Sequence, residues 1–466
     1  MPPRPAASPF LRATFAALLL APLPAGPTDT TGTARAAQEM PGALRNAPPQ
    51  ASGFPIPYFR TADYRTRIGA VVPADVDRDG AMEIVVTIPS GLVTVIGRGG
   101  AVRPGWPRTF ETLEQPAYPL GAPAAGDLDG DGRDEIVACV LAGPGGASSR
   151  LFAFGDDGAD LPGWPVALDG ACAATSVLLA DFDGDGASEI AHALSDGTIA
   201  AFDGDGRPLP GWPHRLGPDA SGRLRAVNAE LTASDLDGDG SDDLVLVESG
   251  LGPRLAAISG AGRMLPGFPQ RLPEVTELQA PAAADLDGDG RPEIVQSTQP
   301  FVGDTIAEPV ALAKPDPTEP AIPAALRVLR ADGTAVPGWP VGLAEGAAWG
   351  AVVTDLTGDG TPEILQQDGD LLAGFDVSGS PLPGFPIDLR RELKRSQSLE
   401  RSPWSVADLN ADGAADLLQL QGNLYAGGTI LRVFGIRNGG HSLRGFPFDA
   451  EGLLAASRPA VLDLSG

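Results

Sequence analysis

The stretch Asp127-Leu128-Asp129-Gly130-Asp131-Gly132-Arg133-Asp134-Glu135 constrains this chain more than any other, because near-copies of it recur at almost constant spacing. Their first aspartates are Asp75, Asp127, Asp181, Asp235, Asp285, Asp355, Asp408 and Asp463, so the intervals are 52, 54, 54, 50, 70, 53 and 55 residues. A length of 466 residues would by itself suggest two or three domains. A unit of about fifty residues, carrying one acidic loop and several short apolar runs, points instead to an array or a propeller, which is one domain whatever its length.

The loop is spelled DxDxDGxxE, with carboxylates at positions 1, 3, 5 and 9. Calcium takes six to eight oxygens at about 2.3–2.6 Å, and alternating aspartates on a tightly turned backbone, helped by a carbonyl at position 7, can bring several of them to one point. Glycine stands at position 6 of all seven complete copies, as Gly80, Gly132, Gly186, Gly240, Gly290, Gly360 and Gly413, which suits a turn with φ > 0. Five copies carry the full set: Asp75, Asp77, Asp79 and Glu83; Asp127, Asp129, Asp131 and Glu135; Asp181, Asp183, Asp185 and Glu189; Asp235, Asp237, Asp239 and Asp243; Asp285, Asp287, Asp289 and Glu293. The sixth has Thr357 at position 3 and keeps Asp355, Asp359 and Glu363, and the seventh has Asn410 there beside Asp408, Asp412 and Asp416. An amide oxygen is still a ligand and a threonine hydroxyl a poorer one, so five strong calcium sites and two weaker ones are expected. Carboxylates this close repel one another unless a cation lies between them, so the ion is expected to hold the turn together.

An EF-hand loop opens in a similar way but runs twelve residues between helices. Here position 9 leads directly into an apolar run, such as Glu135-Ile136-Val137-Ala138-Cys139-Val140 or Glu293-Ile294-Val295, which reads as a strand. Asp and Gly also populate ordinary solvated turns, but seven copies in register favour a cation. Asp203-Gly204-Asp205-Gly206 lacks the acid at position 9 and reads as a hairpin turn only. Each unit follows one plan, clearest in the third. Ser176-Val177-Leu178-Leu179-Ala180 enters the loop, Ile190-Ala191-His192-Ala193-Leu194 leaves it, and Thr198-Ile199-Ala200-Ala201-Phe202 begins a hairpin. His192, in an apolar strand, reads as a packed core residue.

A second signature, Gly-Trp-Pro or Gly-Phe-Pro, closes each hairpin, with its aromatic at Trp106, Trp164, Trp212, Phe268, Trp339, Phe385 and Phe446, and an eighth at Phe54. One ring per unit beside a proline is better explained as a wedge between neighbouring units than as a sugar-stacking platform. The interval of 70 comes from an insert around Phe301 to Ala325 with Pro309, Pro315, Pro317, Pro320 and Pro323, which reads as an exposed loop. It carries Asp304, Glu308, Asp316 and Glu319 against Lys314, and would suit a basic or calcium-bridged partner.

The net charge of −27 argues against nucleic acid and anionic membrane surfaces. The loops hold 26 of the 60 acidic residues, so much of that charge belongs to the sites. Residues 1–36, with Arg4 and Arg12 ahead of the apolar run Ala13 to Leu23, read as a secretory signal peptide cleaved after Ala25 or near Ala34-Arg35-Ala36. That run is too short for a permanent span, and nothing later approaches the length. Residues 37–56 read as a disordered linker, and residues 57–466 as the repeat domain. The chain ends on Asp463-Leu464-Ser465-Gly466, the opening of another loop, so a C-terminal truncation is expected, the alternative being a terminal strand that closes the ring. Cys139 and Cys172 lie in successive units, where an oxidising compartment would allow a disulfide, although two small buried residues would also fit. Arginine outnumbers lysine 31 to 2, as in a GC-rich bacterial coding sequence.

These loops between strands resemble the FG-GAP or VCBS repeats of integrin α-subunit-like β-propellers. The likeness covers roughly Pro57 to Gly466 and includes a literal Gly121-Ala122-Pro123 and Phe154-Gly155, though most units show the Gly-aromatic-Pro ending instead. The resemblance implies an all-β propeller of four-stranded blades, about seven with eight as the alternative, and calcium on the loops of one face. It further implies a secreted or cell-surface, non-catalytic protein serving adhesion, scaffolding or binding of an extracellular protein or glycan. The alternative is a calcium-dependent polysaccharide lyase similar to rhamnogalacturonan lyases. Lyase chemistry needs a base beside charge-neutralising groups. Lys314, Lys394, His192, His214, His441, Tyr58, Tyr64, Tyr118 and Tyr425 form no cluster readable from their spacing.

Overall fold

The computed structural model describes residues 70–451, except 89–90, 220, 228, 251, 273–275, 301–323, 348, 390–399, 402, 410–411, 423–429, 438–440 and 443–447. The expected leader, linker, C-terminal motif, Phe54, Phe446, Asn410 and nearly all of the insert lie outside them. Among the described residues the chain is built from strands, with a single 3-10 turn at Pro144–Gly146 as its one complete helical element. No helix there is long and apolar enough to cross a membrane.

Among the described residues, seven antiparallel sheets follow one another in chain order. The fourth is representative: Thr232–Ser234, Asp243–Glu248, Arg254–Ile258 and Gln270–Arg271 pair successively as an up-and-down meander. In the third, Leu178–Ala180, Glu189–Ala193 and Thr198–Phe202 match the expected plan to within two residues. The second, fifth and seventh sheets hold more than four strands, because their first strand is broken in two, as at Ala117–Pro119 and Ala124–Gly126. In the seventh, two short strands also share Ile430–Arg437.

The first strands of successive sheets meet one another in turn. Ala70–Ala74 touches Ala124–Gly126, which touches Leu178–Ala180, followed by Thr232–Ser234, Ala282–Ala284 and Val352–Thr354. Alanine-rich first strands suit that crowded inner position. This radial succession of meanders is the blade arrangement of a β-propeller. The first to fourth sheets are covered on both faces, so their second strands are largely apolar, while the second strands of the fifth to seventh also bury Gln296, Gln366 and Gln419. Glu83–Ile88 and Asp243–Glu248 are buried at every position. The core is accordingly a series of layers between sheets. One such layer packs Ile199 and Trp212 of the third sheet with Leu244, Leu246 and Ile258 of the fourth.

The aromatic of the second signature is the wedge that the sequence predicts. The indole N–H groups of Trp106, Trp164, Trp212 and Trp339 donate to the carbonyls of Asp156, Gly204, Gly260 and Val377, each in the hairpin turn of the next sheet. The glycine before each ring has φ between 86° and 98°, and a Cβ there would stand 1.7–2.1 Å from a carbonyl oxygen of that turn. Glycine is therefore required both by conformation and by space. Asp203 to Gly206 is one of these turns, as its spelling suggests.

Cys139 and Cys172 are bonded and tie the second sheet to the approach of the third. His192 is fully buried, and burial pushes its imidazole down to about 4, so it is neutral. The long insert follows Glu293–Pro300 and ends before Ala325–Leu329. Ala325 pairs with Gly342 as a strand residue, so the insert is slightly shorter than the sequence suggests.

Candidate metal centres

Each acidic loop joins the first strand of its sheet to the second, so the loops share one face. The second copy shows how the spelling becomes geometry. Asp127 folds the turn by accepting from two of its own amides, Gly130 N–H at Oδ1 (2.7 Å) and Gly132 N–H at Oδ2 (2.9 Å). Asp129 Oδ1 accepts from Asp131 N–H (3.1 Å) and Asp131 Oδ1 from Arg133 N–H (2.8 Å). Glu135 reaches back seven residues, and its Oε2 accepts from Leu128 N–H (2.8 Å). Asp181, Asp235 and Asp285 accept from their loop amides in the same pattern. Position 6 has φ between 82° and 92° in all seven loops, the left-handed region that glycine adopts without strain.

This folding brings the carboxylates together. One oxygen each from Asp127, Asp129 and Glu135 lie within 4.8 Å of one another, as do those of Asp75, Asp77 and Glu83, of Asp181, Asp183 and Glu189, and of Asp235, Asp237 and Asp239. The position-9 acids Glu83, Glu135, Glu189, Asp243, Glu293, Glu363 and Asp416 are all buried, while the acids at positions 3 and 5 of the second to fifth loops face solvent or its edge. Burial, reinforced by the neighbouring aspartates, pushes Glu135, Glu189 and Asp243 up to about 7 and raises Glu293. Asp243 Oδ1 is buried with no hydrogen-bond partner. An all-oxygen donor set with a buried, destabilised carboxylate fits a hard divalent cation.

The loops are not equivalent. In the sixth, Thr357 Oγ1 donates to Glu363 Oε1 (2.8 Å), so the residue replacing an aspartate also engages an oxygen a cation would use. In the seventh, Asp408, Asp412 and Asp416 keep the loop pattern. In the first, arginines enter the site. Arg103 Nη1 lies 2.7 Å from Asp77 Oδ2 and 3.3 Å from Glu83 Oε1, and Arg98 pairs with Asp79. Glu83 is still raised to about 7, by burial first, with Arg103 pulling the other way.

Two features escaped the reading of the sequence. Position 8 joins loops to one another: Asp134 N–H donates to Asp75 O (3.0 Å) while Asp75 N–H donates to Asp134 Oδ2 (2.7 Å). Asp242 and Asp181 repeat the exchange, and Ala415 N–H donates to Asp355 O. The second feature is Arg103 itself. It stands two residues before the glycine of Gly-aromatic-Pro, where the other described units have Leu161, Leu209, Leu265, Val336 and Leu382. Aligning the second signature as closely as the first would have exposed it.

A family model for an FG-GAP-like repeat matches residues 75–138, 127–192 and 235–295. No curated protein matches the chain. Among solved structures, the chain is similar to the V. cholerae biofilm matrix protein Bap1, at 13% identity over 86% of this chain and 85% of that one, with a TM-score of 0.49. It is also similar to the BP39L lectin from Burkholderia pseudomallei, at 13% identity over 83% and 99% with a TM-score of 0.49. The C-terminal domain of PilY1 from Pseudomonas aeruginosa matches at 12% identity over 80% and 83%, with a TM-score of 0.41.

Proposed function

The chain carries FG-GAP-like repeats, and from that premise we propose that it is a secreted or cell-surface calcium-binding β-propeller without catalytic activity, which presents its faces to an extracellular protein or glycan. Residues 1–36 serve as the export signal, residues 37–56 as a linker, and the propeller has seven blades. The observation that carries this reading is the convergence of buried and exposed carboxylate oxygens within 4.8 Å in successive loops of one face. The second to fifth loops hold calcium most firmly through Asp127, Asp181, Asp235 and Asp285 and their partners. The sixth is weakened by Thr357 and the seventh by the loss of an acid at position 3. Calcium supplies positive charge that the carboxylates lack, and the chain's own residues hold the oxygens in place before it arrives.

The ion's role is structural. The loops connect the innermost strands and, through Asp134 and Asp242, one another, so a cation at each would brace the ring from one face. The opposite face is left for recognition. The insert springs from the far end of Glu293–Pro300, away from the loops, and its acidic composition suits a basic or calcium-bridged partner. Deleting Asp304 to Pro320 should leave thermal unfolding unchanged and abolish retention on the producing cell. Unchanged retention would remove the insert from the binding role. Release of unsaturated products from pectic polymers by the purified protein would overturn the non-catalytic reading.

A further inference from the structure

We infer that the first acidic loop, alone among the full copies, has a guanidinium seated between its acids at positions 3 and 9: that of Arg103 occupies the place that calcium takes in the second to fifth loops, whereas Arg133 of the second loop only borders Asp131 at the solvent edge (4.0 Å). The inference rests on the calcium reading of those loops and refines its stoichiometry.

By spelling, the first loop is a complete site, with Asp75, Asp77, Asp79 and Glu83. Its surroundings differ from the others in three coordinated ways. Arg103 replaces an apolar residue. The backbone there is held alike in each unit, with Arg103 N–H donating to Val95 O just as Leu161 donates to Ala153 O, Leu209 to Ala201 O, Leu265 to Ala257 O and Val336 to Val328 O. The side chain therefore starts from an equivalent point, and length lets it reach past the core to Asp77 Oδ2 (2.7 Å) and Glu83 Oε1 (3.3 Å). Arg98 closes on Asp79. Position 4, glycine in the second to sixth loops, is Arg78, which holds a positive φ of 57° and donates to Asp131 O in the neighbouring loop.

The charges match. Arg98 and Arg103 bring two positive charges onto Asp77, Asp79 and Glu83, as one divalent ion would. One nitrogen, Nη1, stands between the two carboxylates as a small cation would, and a guanidinium stays protonated throughout the usual pH range, so it needs no ion from solution. It also sits on the donor oxygens themselves: calcium could enter only by displacing Arg103 from Asp77 and Glu83. The first sheet would then keep its loop folded when calcium is scarce, and the neighbouring second loop is bonded to it through Asp75 and Asp134.

Calcium stoichiometry by equilibrium dialysis of the full mature chain tests this, with Asp77→Asn, Asp129→Asn and Arg103→Leu beside the wild type. At calcium low enough to leave the asparagine-bearing seventh loop empty, Asp129→Asn should lose one bound ion and Asp77→Asn none, while Arg103→Leu, which restores the residue type of the other units, should gain one. Loss of an ion in Asp77→Asn, or no gain in Arg103→Leu that remains folded, would overturn the inference. A second reading is independent of calcium binding. In chelator, Asp77→Asn should lower the melting temperature more than Asp129→Asn, because only the former breaks an ion pair, and equal shifts would contradict the assignment. If the wild type binds no calcium at all, the proposed function fails, and the chelator comparison still decides whether Arg103 holds the first loop.

Discussion

At the residue scale, the position-9 acids concentrate the chemistry. Glu135, Glu189 and Asp243 are raised to about 7 because burial strips them of water and aspartates surround them. A carboxyl whose folded value lies above its unfolded value stabilises the fold below the ordinary carboxylate range and loses that contribution as pH rises through the folded value. In chelator, the melting temperature should therefore fall between about pH 5 and pH 8. Glu135→Gln, which cannot ionise, should flatten part of the slope, and an unchanged slope would contradict the assignment. The carboxylates and the turn glycines were legible in the sequence because chemistry and spacing are both written in the motif. Arg103 was not, because a lone arginine in a surface turn looks ordinary until its leucine and valine counterparts are set beside it.

At the element scale, four of the boundaries between sheets are each bridged by an indole ring and its hydrogen bond. Trp212 is buried and donates to Gly260 O, so Trp212→Ala should cost about 3–5 kcal/mol through the cavity it leaves. Trp212→Phe keeps most of the packing but leaves that carbonyl unpaired, and should cost about 1–3 kcal/mol. Denaturant titrations in which the two variants cost the same would show that the hydrogen bond, which both lose, and not the packing carries the boundary. The bond between Cys139 and Cys172 closes a loop of 33 residues, and replacing both by alanine should cost about 3–4 kcal/mol. Apolar second strands such as Glu83–Ile88 could be read directly, since a strand buried on both faces needs no alternation. The two-residue fourth strands and the broken first strands could not, because so few residues carry no period. The cysteine pairing also stayed open, since it depends on how closely two sheets approach.

At the scale of the whole molecule, the repeat interval gave the architecture, while the linkage between loops is visible only in three dimensions. Asp75 with Asp134, Asp181 with Asp242, and Asp355 with Ala415 join loops of neighbouring sheets, so under the proposed calcium binding the loss of an ion at one loop would bear on the next. Extracellular calcium modules bind at about 10⁻⁴–10⁻³ M. With about 1 mM calcium and a dissociation constant of about 10⁻⁴ M, each proposed site would stabilise the fold by about 1.4 kcal/mol, and the second to fifth loops together by about 6 kcal/mol. That is comparable to the net stability of many domains. Thermal unfolding of the purified chain in about 1 mM calcium and again in excess chelator reads this sum directly: a melting temperature lower by several degrees or more in chelator, restored when calcium is added back, is the predicted result, and identical curves would mean that the loops are only turns.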